Sequence, residues 1–233
     1  KLDITENYRN SFAYSGGLVG GAEYVSFTDI TTNVAVTAKK GSAPYPWSYV
    51  GGFAGTVKNA DFLRCVNNGT VTTDGDYVSG FAAKSETTTY TSCVNNGAIT
   101  GRTKIGGFGG AVKSTKTVDS YNTGTIGLAA YNGGNQGIGG LFGEMGYGST
   151  LTRCYNTGAV TGDCYVGGLV GSVGSGSDAA NGPSYIVDSY NSGAITGHSD
   201  KSYCGIGGLV GKLDASSSRV YEQSYVQDRK SVV

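Results

Sequence analysis

Histidine, the side chain that most often performs acid–base chemistry near neutral pH, occurs once in the sequence, as His198. It follows the segment AITG beside Asp200 and Lys201, and no nucleophile-elbow sequence accompanies it. A Ser-His-Asp or Cys-His site would have to use this one residue. We interpret His198 as a solvated loop residue and expect no catalytic site around it.

Carboxylates are the second kind of residue that could do chemistry, because solenoid enzymes that cleave sugars can use carboxylates clustered on one wall. Asp74, Asp76 and Glu86 are the candidates, but they are scattered and lack a common position in the repeat described below. The five cysteines contain no CxxC pair of the kind that binds zinc. The sequence therefore predicts no catalytic residues, no metal site and no cofactor.

The remaining candidate residues belong to an internal repeat that covers the whole chain. One signature reads [VI]-G-G-[LF]-[VAGF]-G, and its second glycine stands at Gly17, Gly52, Gly80, Gly107, Gly140, Gly168 and Gly208. The other reads [CS]-[VY]-N-x-G-x-[VI]-T-G and starts at Cys65, Cys93, Ser120, Cys154 and Ser189. Insertions between the signatures fall at fixed points, which indicates a repeated structural unit with tolerant loops.

Short stretches of β-branched and aromatic residues, bounded by Gly, Asn and Asp, predict strands and turns rather than helices. A unit this short cannot bury its own apolar face, so successive copies must stack. We predict an all-β, right-handed parallel β-solenoid (β-helix) of about six to seven rungs of about 28 residues each. An antiparallel sandwich or propeller is the alternative. We expect residues 1–233 to form a single solenoid domain that is a segment of a larger protein.

The asparagine of the second signature predicts a hydrogen-bonded ladder, since stacked amides can bond from one rung to the next. Its members are Asn67, Asn95, Asn122, Asn156 and Asn191. The glycine two residues later is expected to supply a backbone conformation with positive φ. The ladder is therefore a structural feature in this interpretation, not a ligand site.

Strand alternation places the Cys or Ser of the second signature inside the solenoid and the next residue outside. The outer residues include Tyr121, Tyr155 and Tyr190. The sequence also allows the opposite orientation, in which these tyrosines face inward. If they lie outside, these tyrosines form an aromatic stripe, which is a candidate platform for glycans or proteins. The alternative is that the rings shield the sheet or pack under a loop.

Cys164 and Cys204 both stand four residues before the second glycine of consecutive copies, so we expect them to be stacked. Stacked strands bring Cα atoms into disulfide range, whereas in-register parallel strands seldom give the required torsion. The sequence therefore allows two alternatives: Cys164 and Cys204 form a disulfide, or both are free thiols. The cysteines that alternate with serine are interpreted as small buried residues.

The amino-acid composition limits the kinds of partner that the chain is expected to bind. Seventeen basic and seventeen acidic residues cancel, and without a polybasic run the sequence predicts no nucleic-acid partner. No apolar run approaches the ~20 residues of a membrane helix, so no membrane insertion is expected. The unpaired strand edges at the two ends of a solenoid leave edge-to-edge self-association as an open expectation.

The segments VGGLVG (166–171) and CYNTGAVTG (154–162) resemble the GLUG-motif repeat. That family occurs in bacterial surface and secreted proteins, including non-catalytic regions of immunoglobulin-A-cleaving metallopeptidases and adhesin-like proteins. The resemblance covers nearly the whole chain and weakens at both ends, where SYVQDRKSVV lacks the N-x-G. The peptidases' zinc-binding HExxH is absent from this sequence, so their activity is not implied.

The resemblance and the residues together predict a non-enzymatic module at the bacterial cell surface or outside the cell. We expect an adhesin or stalk that presents loops and the tyrosine stripe to a protein or glycan on a host or cell surface. The competing hypothesis is a carbohydrate-active enzyme or glycan-binding module on the same β-helix scaffold. A groove that gathers Asp, Glu or Tyr from several rungs would favour the second hypothesis.

Overall fold

A computed structural model describes residues 2–6, 13–40, 47–129, 137–174, 182–197 and 204–213. His198, Asp200 and Lys201 lie outside these residues. Throughout the described ranges the regular structure consists of strands, without a helix, and the strands are numbered β1 to β30 in chain order. The predicted all-β class is confirmed.

The strands form four sheets, which we call A to D, and the chain passes through them repeatedly in the order B, C, D, A. We call one such pass a coil. Sheet A contains the V-T segments: β1 (Leu2–Glu6), β5 (Val36–Lys40), β9 (Val71–Thr73), β13 (Ile99–Gly101), β18 (Ile126–Leu128), β23 (Val160–Gly162) and β28 (Ile195–Gly197). The strands of sheet B end at the first residue of the glycine pair: β2 (Ala13–Gly16), β6 (Ser48–Gly51), β10 (Tyr77–Ser79), β14 (Ile105–Gly106), β19 (Ile138–Gly139), β24 (Val166–Gly167) and β29 (Ile206–Gly207).

Sheet C follows the glycine pair and contains the longest strands, which later coils divide in two. Its strands are β3 (Val19–Thr28), β7 (Ala54–Leu63), β11 (Ala82–Thr91), β15 (Gly109–Lys113), β16 (Lys116–Val118), β20 (Phe142–Met145), β21 (Thr150–Thr152), β25 (Val170–Val173), β26 (Tyr185–Val187) and β30 (Val210–Leu213). Sheet D contains the asparagines: β4 (Thr31–Thr32), β8 (Val66–Asn67), β12 (Val94–Asn95), β17 (Tyr121–Asn122), β22 (Tyr155–Asn156) and β27 (Tyr190–Asn191).

Every strand pairing among the described residues is parallel and joins equivalent positions of neighbouring coils. In sheet D, for example, Asn95 lies opposite both Asn67 and Asn122. In sheet B, Val166 lies opposite Ile138 and Ile206. The fold is therefore a parallel β-solenoid, as the repeat predicts, and not an antiparallel sandwich or propeller.

The interior is divided into two apolar clusters. Between sheets A and B, two columns of valine and isoleucine side chains pack against each other, from Val36 and Val50 to Val160 and Val166. The second cluster lines sheet C and the turns at its two ends, and in it Phe53, Phe81 and Phe108 stack along the solenoid with ring centroids 4.7 Å apart. Burial of such side chains contributes about 1.5–3 kcal/mol each, so the stacked columns stabilise contacts between coils.

The glycine of N-x-G does not have the positive φ that the sequence predicts. The glycines with positive φ in the described chain are Gly148, Gly174 and Gly182. A Cβ on Gly97 would instead overlap the carbonyl oxygen of Gly69 in the preceding coil, and one on Gly124 would overlap that of Gly97. Glycine is required here because the backbones of neighbouring coils approach closely, not because of the turn's dihedral angle.

Positive φ occurs instead at the residue before the Cys or Ser, and before Ile30 at the equivalent position, where the chain turns from sheet C into sheet D. The residues are Asp29, Arg64, Ser92, Asp119, Arg153 and Asp188, with φ between 49° and 56°. Left-handed conformations are unfavourable for residues other than glycine, so the same corner must be stabilised by the packing of each coil.

Candidate functional site

The amides of the five predicted asparagines form one continuous chain of hydrogen bonds. Each Nδ2 donates to the Oδ1 of the next asparagine at 2.6–2.8 Å, from Asn67 through Asn95, Asn122 and Asn156 to Asn191. The same Nδ2 atoms also donate to the carbonyl oxygen two residues later, at 2.8–2.9 Å. The first four asparagines are fully buried, so the ladder has a structural role between coils.

The ladder explains why the second residue of each glycine pair is a glycine. In the same coil, the amide of Asn122 lies where a Cβ on Gly107 would be, with its Oδ1 2.8 Å from that position. Asn67 and Asn95 occupy the corresponding space beside Gly52 and Gly80. The two sequence signatures are therefore coupled physically, because an asparagine in one requires a glycine in the other.

The Cys and Ser residues of the second signature lie inside, next to the ladder. Cys65, Cys93, Ser120, Cys154 and Ser189 are each at most 1% exposed. The thiol of Cys154 donates to the carbonyl oxygens of Thr117 and Thr152, and burial raises its pKa to about 11. Such a thiol stays protonated at neutral pH and is a poor nucleophile, since the thiolate is the reactive form.

The three tyrosines of the predicted stripe lie on the outer face of sheet D; we call them the sheet D row. The rings of Tyr121 and Tyr155 are stacked at 4.5 Å and nearly parallel, and those of Tyr155 and Tyr190 are stacked at 5.2 Å. All three side chains are partly exposed. Because each ring covers the face of its neighbour, the row presents ring edges and hydroxyl groups to a partner.

Polar side chains flank the outer face of sheet D on both sides. On one side, exposed amides and a hydroxyl form a hydrogen-bonded chain that links Asn33, Asn68, Asn96 and Thr123 at 2.8–3.0 Å. Of these residues only Thr123 shares a coil with a tyrosine of the row. On the other side, the Arg153 guanidinium donates two hydrogen bonds to the Asp119 carboxylate and lowers its pKa. Sheet D thus carries a polar chain beside its first four coils and aromatic edges on its last three, with the Asp119–Arg153 pair beside Tyr121 and Tyr155.

Cys164 and Cys204 form a disulfide between neighbouring coils, with their Cα atoms 4.8 Å apart. They precede β24 and β29, which pair in parallel in sheet B. Of the two alternatives that the sequence leaves open, the structure contains the bridge. Cys65, Cys93 and Cys154 are free thiols.

A second row of tyrosines, which the sequence analysis missed, lies on the outer face of sheet B. Tyr14 and Tyr49 have ring centroids 5.3 Å apart, and Tyr49 and Tyr77 are stacked at 4.5 Å. We call these three residues the sheet B row. Tyr49 and Tyr77 are buried against Ala83 of sheet C, and burial raises the pKa of Tyr49. The signal was present in the sequence, because each tyrosine stands three residues before the second glycine of its pair.

The carboxylates considered for catalysis do not form one cluster. Asp76 is buried and pairs with Arg102, whereas Glu86 lies 3.8 Å from the ammonium of Lys58 on sheet C. Within the described ranges, groups of three or more His, Cys, Asp or Glu side chains suited to a metal ion do not occur. A search of the same residues for helices long and apolar enough to cross a membrane also finds none.

Comparison of the chain with models of protein families, with curated proteins and with solved structures gives no match.

Proposed function

We propose that this chain is a non-catalytic repeat module of a bacterial extracellular or surface protein, an adhesin or stalk. In this role the solenoid presents the sheet D row and the polar side chains that flank sheet D to a protein or glycan on a host or cell surface. The observation that carries the proposal is the stacking of Tyr121, Tyr155 and Tyr190, whose spacing is fixed by the buried ladder beneath them. A surface fixed in this way loses little conformational entropy when it binds.

Two further observations support the extracellular part of the proposal. Disulfides persist in oxidising compartments, and Cys164–Cys204 joins neighbouring coils. The resemblance of the repeat to GLUG-motif segments points to the same location, because that family occurs in bacterial surface and secreted proteins. A module of this kind needs no cofactor, nucleic acid or membrane insertion in order to act.

The test is adhesion of the purified chain to host cells, to bacterial cells and to a glycan array. Tyr155→Phe removes the central hydroxyl of the sheet D row and keeps the ring stack. We expect this variant to bind the partner severalfold more weakly, since hydroxyls and ring edges are what the row exposes. Tyr155→Ala should weaken binding further.

Tyr24→Phe is the matched control, because Tyr24 is 80% exposed and lies outside the row. It should bind as the unmodified chain does. If adhesion is the same in the Tyr155 and Tyr24 variants, the sheet D row is not the contact surface. If the unmodified chain adheres to none of the surfaces, the adhesin proposal is wrong.

A further inference from the structure

We propose that the outer face of sheet B carries a binding subsite for a neutral saccharide, formed by Trp47, Tyr14 and the charged pairs beside Tyr77. This inference goes beyond the adhesive role assigned to sheet D, because the two surfaces share no residue. The aromatic side chains on this face differ in their exposure to solvent. Tyr49 and Tyr77 are buried, whereas Tyr14 is 44% and Trp47 is 48% exposed.

The exposed rings are held in place by the buried ones. The indole of Trp47 packs on Tyr77 with ring centroids 5.6 Å apart and planes inclined by 49°, so it is not covered face to face. Tyr14 packs on Tyr49, the first buried member of the row. Sheet B therefore holds two half-exposed aromatic rings in fixed positions, unlike sheet D, where neighbouring rings cover one another.

The distance along the row suits a chain of sugars. Tyr14 and Tyr77 belong to strands that are two steps apart in sheet B, which corresponds to about 10 Å. Alternate rings of an extended oligosaccharide, rather than consecutive ones, are separated by a comparable distance. The C–H faces of pyranose rings are apolar and pack on aromatic faces, while their hydroxyl groups need hydrogen-bonding partners at the border.

Those partners lie beside Tyr77. Arg102 forms an ion pair with the buried carboxylate of Asp76, and its own side chain is 40% exposed. Lys104 lies over the Tyr77 ring, 4.9 Å from its centroid, and donates to the Tyr77 hydroxyl at 3.2 Å. Arginine and carboxylate side chains fixed in pairs can donate to and accept from sugar hydroxyls without reorganising.

The charges at this position favour a neutral ligand over an anionic one. Each cation is matched, Arg102 by Asp76 and Lys104 by Glu144, whose carboxylate is 2.5 Å from the Lys104 ammonium. The site therefore provides no net positive field to attract a phosphate, a nucleotide or a sulfated glycan. Apolar ring faces bordered by balanced charges are complementary to uncharged sugars.

Saccharide binding can be followed by tryptophan fluorescence, because Trp47 is the only tryptophan in the sequence and lies in the proposed subsite. The full chain is titrated with cellohexaose, maltohexaose and N-acetylchitohexaose, and with heparin as the anionic probe. We expect a saturable change in Trp47 emission with at least one neutral hexasaccharide and none with heparin. No saturable change with any of the three neutral probes, or a response to heparin alone, would overturn the proposal.

Variants then connect binding to the aromatic rings. Tyr14→Ala keeps the tryptophan reporter and should weaken binding roughly threefold to tenfold. Trp47→Ala, followed by calorimetry, should weaken it about tenfold or more, and Trp47→Phe should recover part of the loss. Tyr24→Ala on sheet C is the control, because Tyr24 is exposed and lies outside both tyrosine rows, and it should leave saccharide affinity unchanged. Unmodified affinity in both Tyr14→Ala and Trp47→Ala would also overturn the proposal.

Discussion

The middle of the asparagine ladder and its two ends contain the same repeat positions in different surroundings. In the middle, Asn122 accepts a hydrogen bond from Asn95 and donates one to Asn156. At the N-terminal end, Thr32 occupies the ladder position, and the buried Oδ1 of Asn67 has no hydrogen-bond partner. At the C-terminal end, a Cβ on Gly208 would meet nothing within 4 Å.

The comparison shows that one copy of the repeat does not specify its own structure. An asparagine is satisfied, and a glycine is required, only when the neighbouring coil supplies the opposite partner. The large hydrophobic side chains follow the same division, since Tyr14, Leu18 and Tyr24 are exposed near one end and Ile206 and Leu213 near the other. Edge-to-edge association of these ends stays a prediction.

Removing an amide from the middle of the ladder should have the largest effect. Asn122→Ala removes one of the two hydrogen bonds of Asn95 Nδ2, one of the two that Asn156 Oδ1 accepts, and the bond to the Gly124 carbonyl, all in a buried position. We expect the free energy of unfolding to fall by roughly 3–4 kcal/mol, since three buried hydrogen bonds of about 0.5–1.5 kcal/mol each are lost. Urea denaturation followed by circular dichroism measures the change.

The matched variant at the end of the ladder is Asn191→Ala, which removes one hydrogen bond between coils instead of two. Its expected cost is roughly 1–2 kcal/mol. Equal losses for the two variants would mean that the position in the stack does not matter, and the comparison between middle and end would be wrong.

A pair of glycine substitutions should give the next largest difference. In Gly107→Ala the new Cβ would lie 2.6 Å from the carbonyl oxygen of Gly140 and 2.8 Å from Oδ1 of Asn122. We expect a loss of roughly 2–3 kcal/mol, because the oxygen belongs to a fixed backbone. Gly208→Ala, at the same repeat position, should stay within about 1 kcal/mol of the unmodified chain. Thermal unfolding of the two variants side by side would show whether they differ.

The smallest effect is a gain of stability at the N-terminal end. Thr32→Asn would extend the ladder by one amide, because its Nδ2 can donate to the unpaired Oδ1 of Asn67. The expected gain is about 1 kcal/mol, the net value of one buried hydrogen bond. Thr32→Ala is the control and should give no gain; a Thr32→Asn variant that is less stable than Thr32→Ala would contradict the proposed geometry.

The stacking of coils could be predicted from the sequence because it depends on equivalent positions meeting one another. Asn156 and Asn191 recur with the same flanking Tyr and Gly, and a parallel register is the arrangement that brings identical residues together. Burial of the Cys and Ser column followed from strand alternation, which places Cys154 inside and Tyr155 outside.

Two features could not be predicted in the same way. The positive φ of Arg64 and Arg153 results from the corner between sheets C and D, and no residue preference marks an arginine for that conformation. The burial of Tyr49 and Tyr77 depends on their packing against Ala83, which belongs to the neighbouring sheet C. Strand periodicity assigns only the two faces of a strand and does not show that an outer face is covered.

The most direct test of the stacked ladder is hydrogen exchange of the asparagine side-chain amides, followed by nuclear magnetic resonance. If the coils stack in parallel, the Nδ2 protons of Asn95, Asn122 and Asn156 should exchange only through global unfolding, and nuclear Overhauser contacts should connect neighbouring amides. The exposed amide of Asn96, in the same sheet, should exchange rapidly. Exchange of Asn122 as fast as that of Asn96, without contacts to Asn95 or Asn156, would contradict the parallel stacking of the coils.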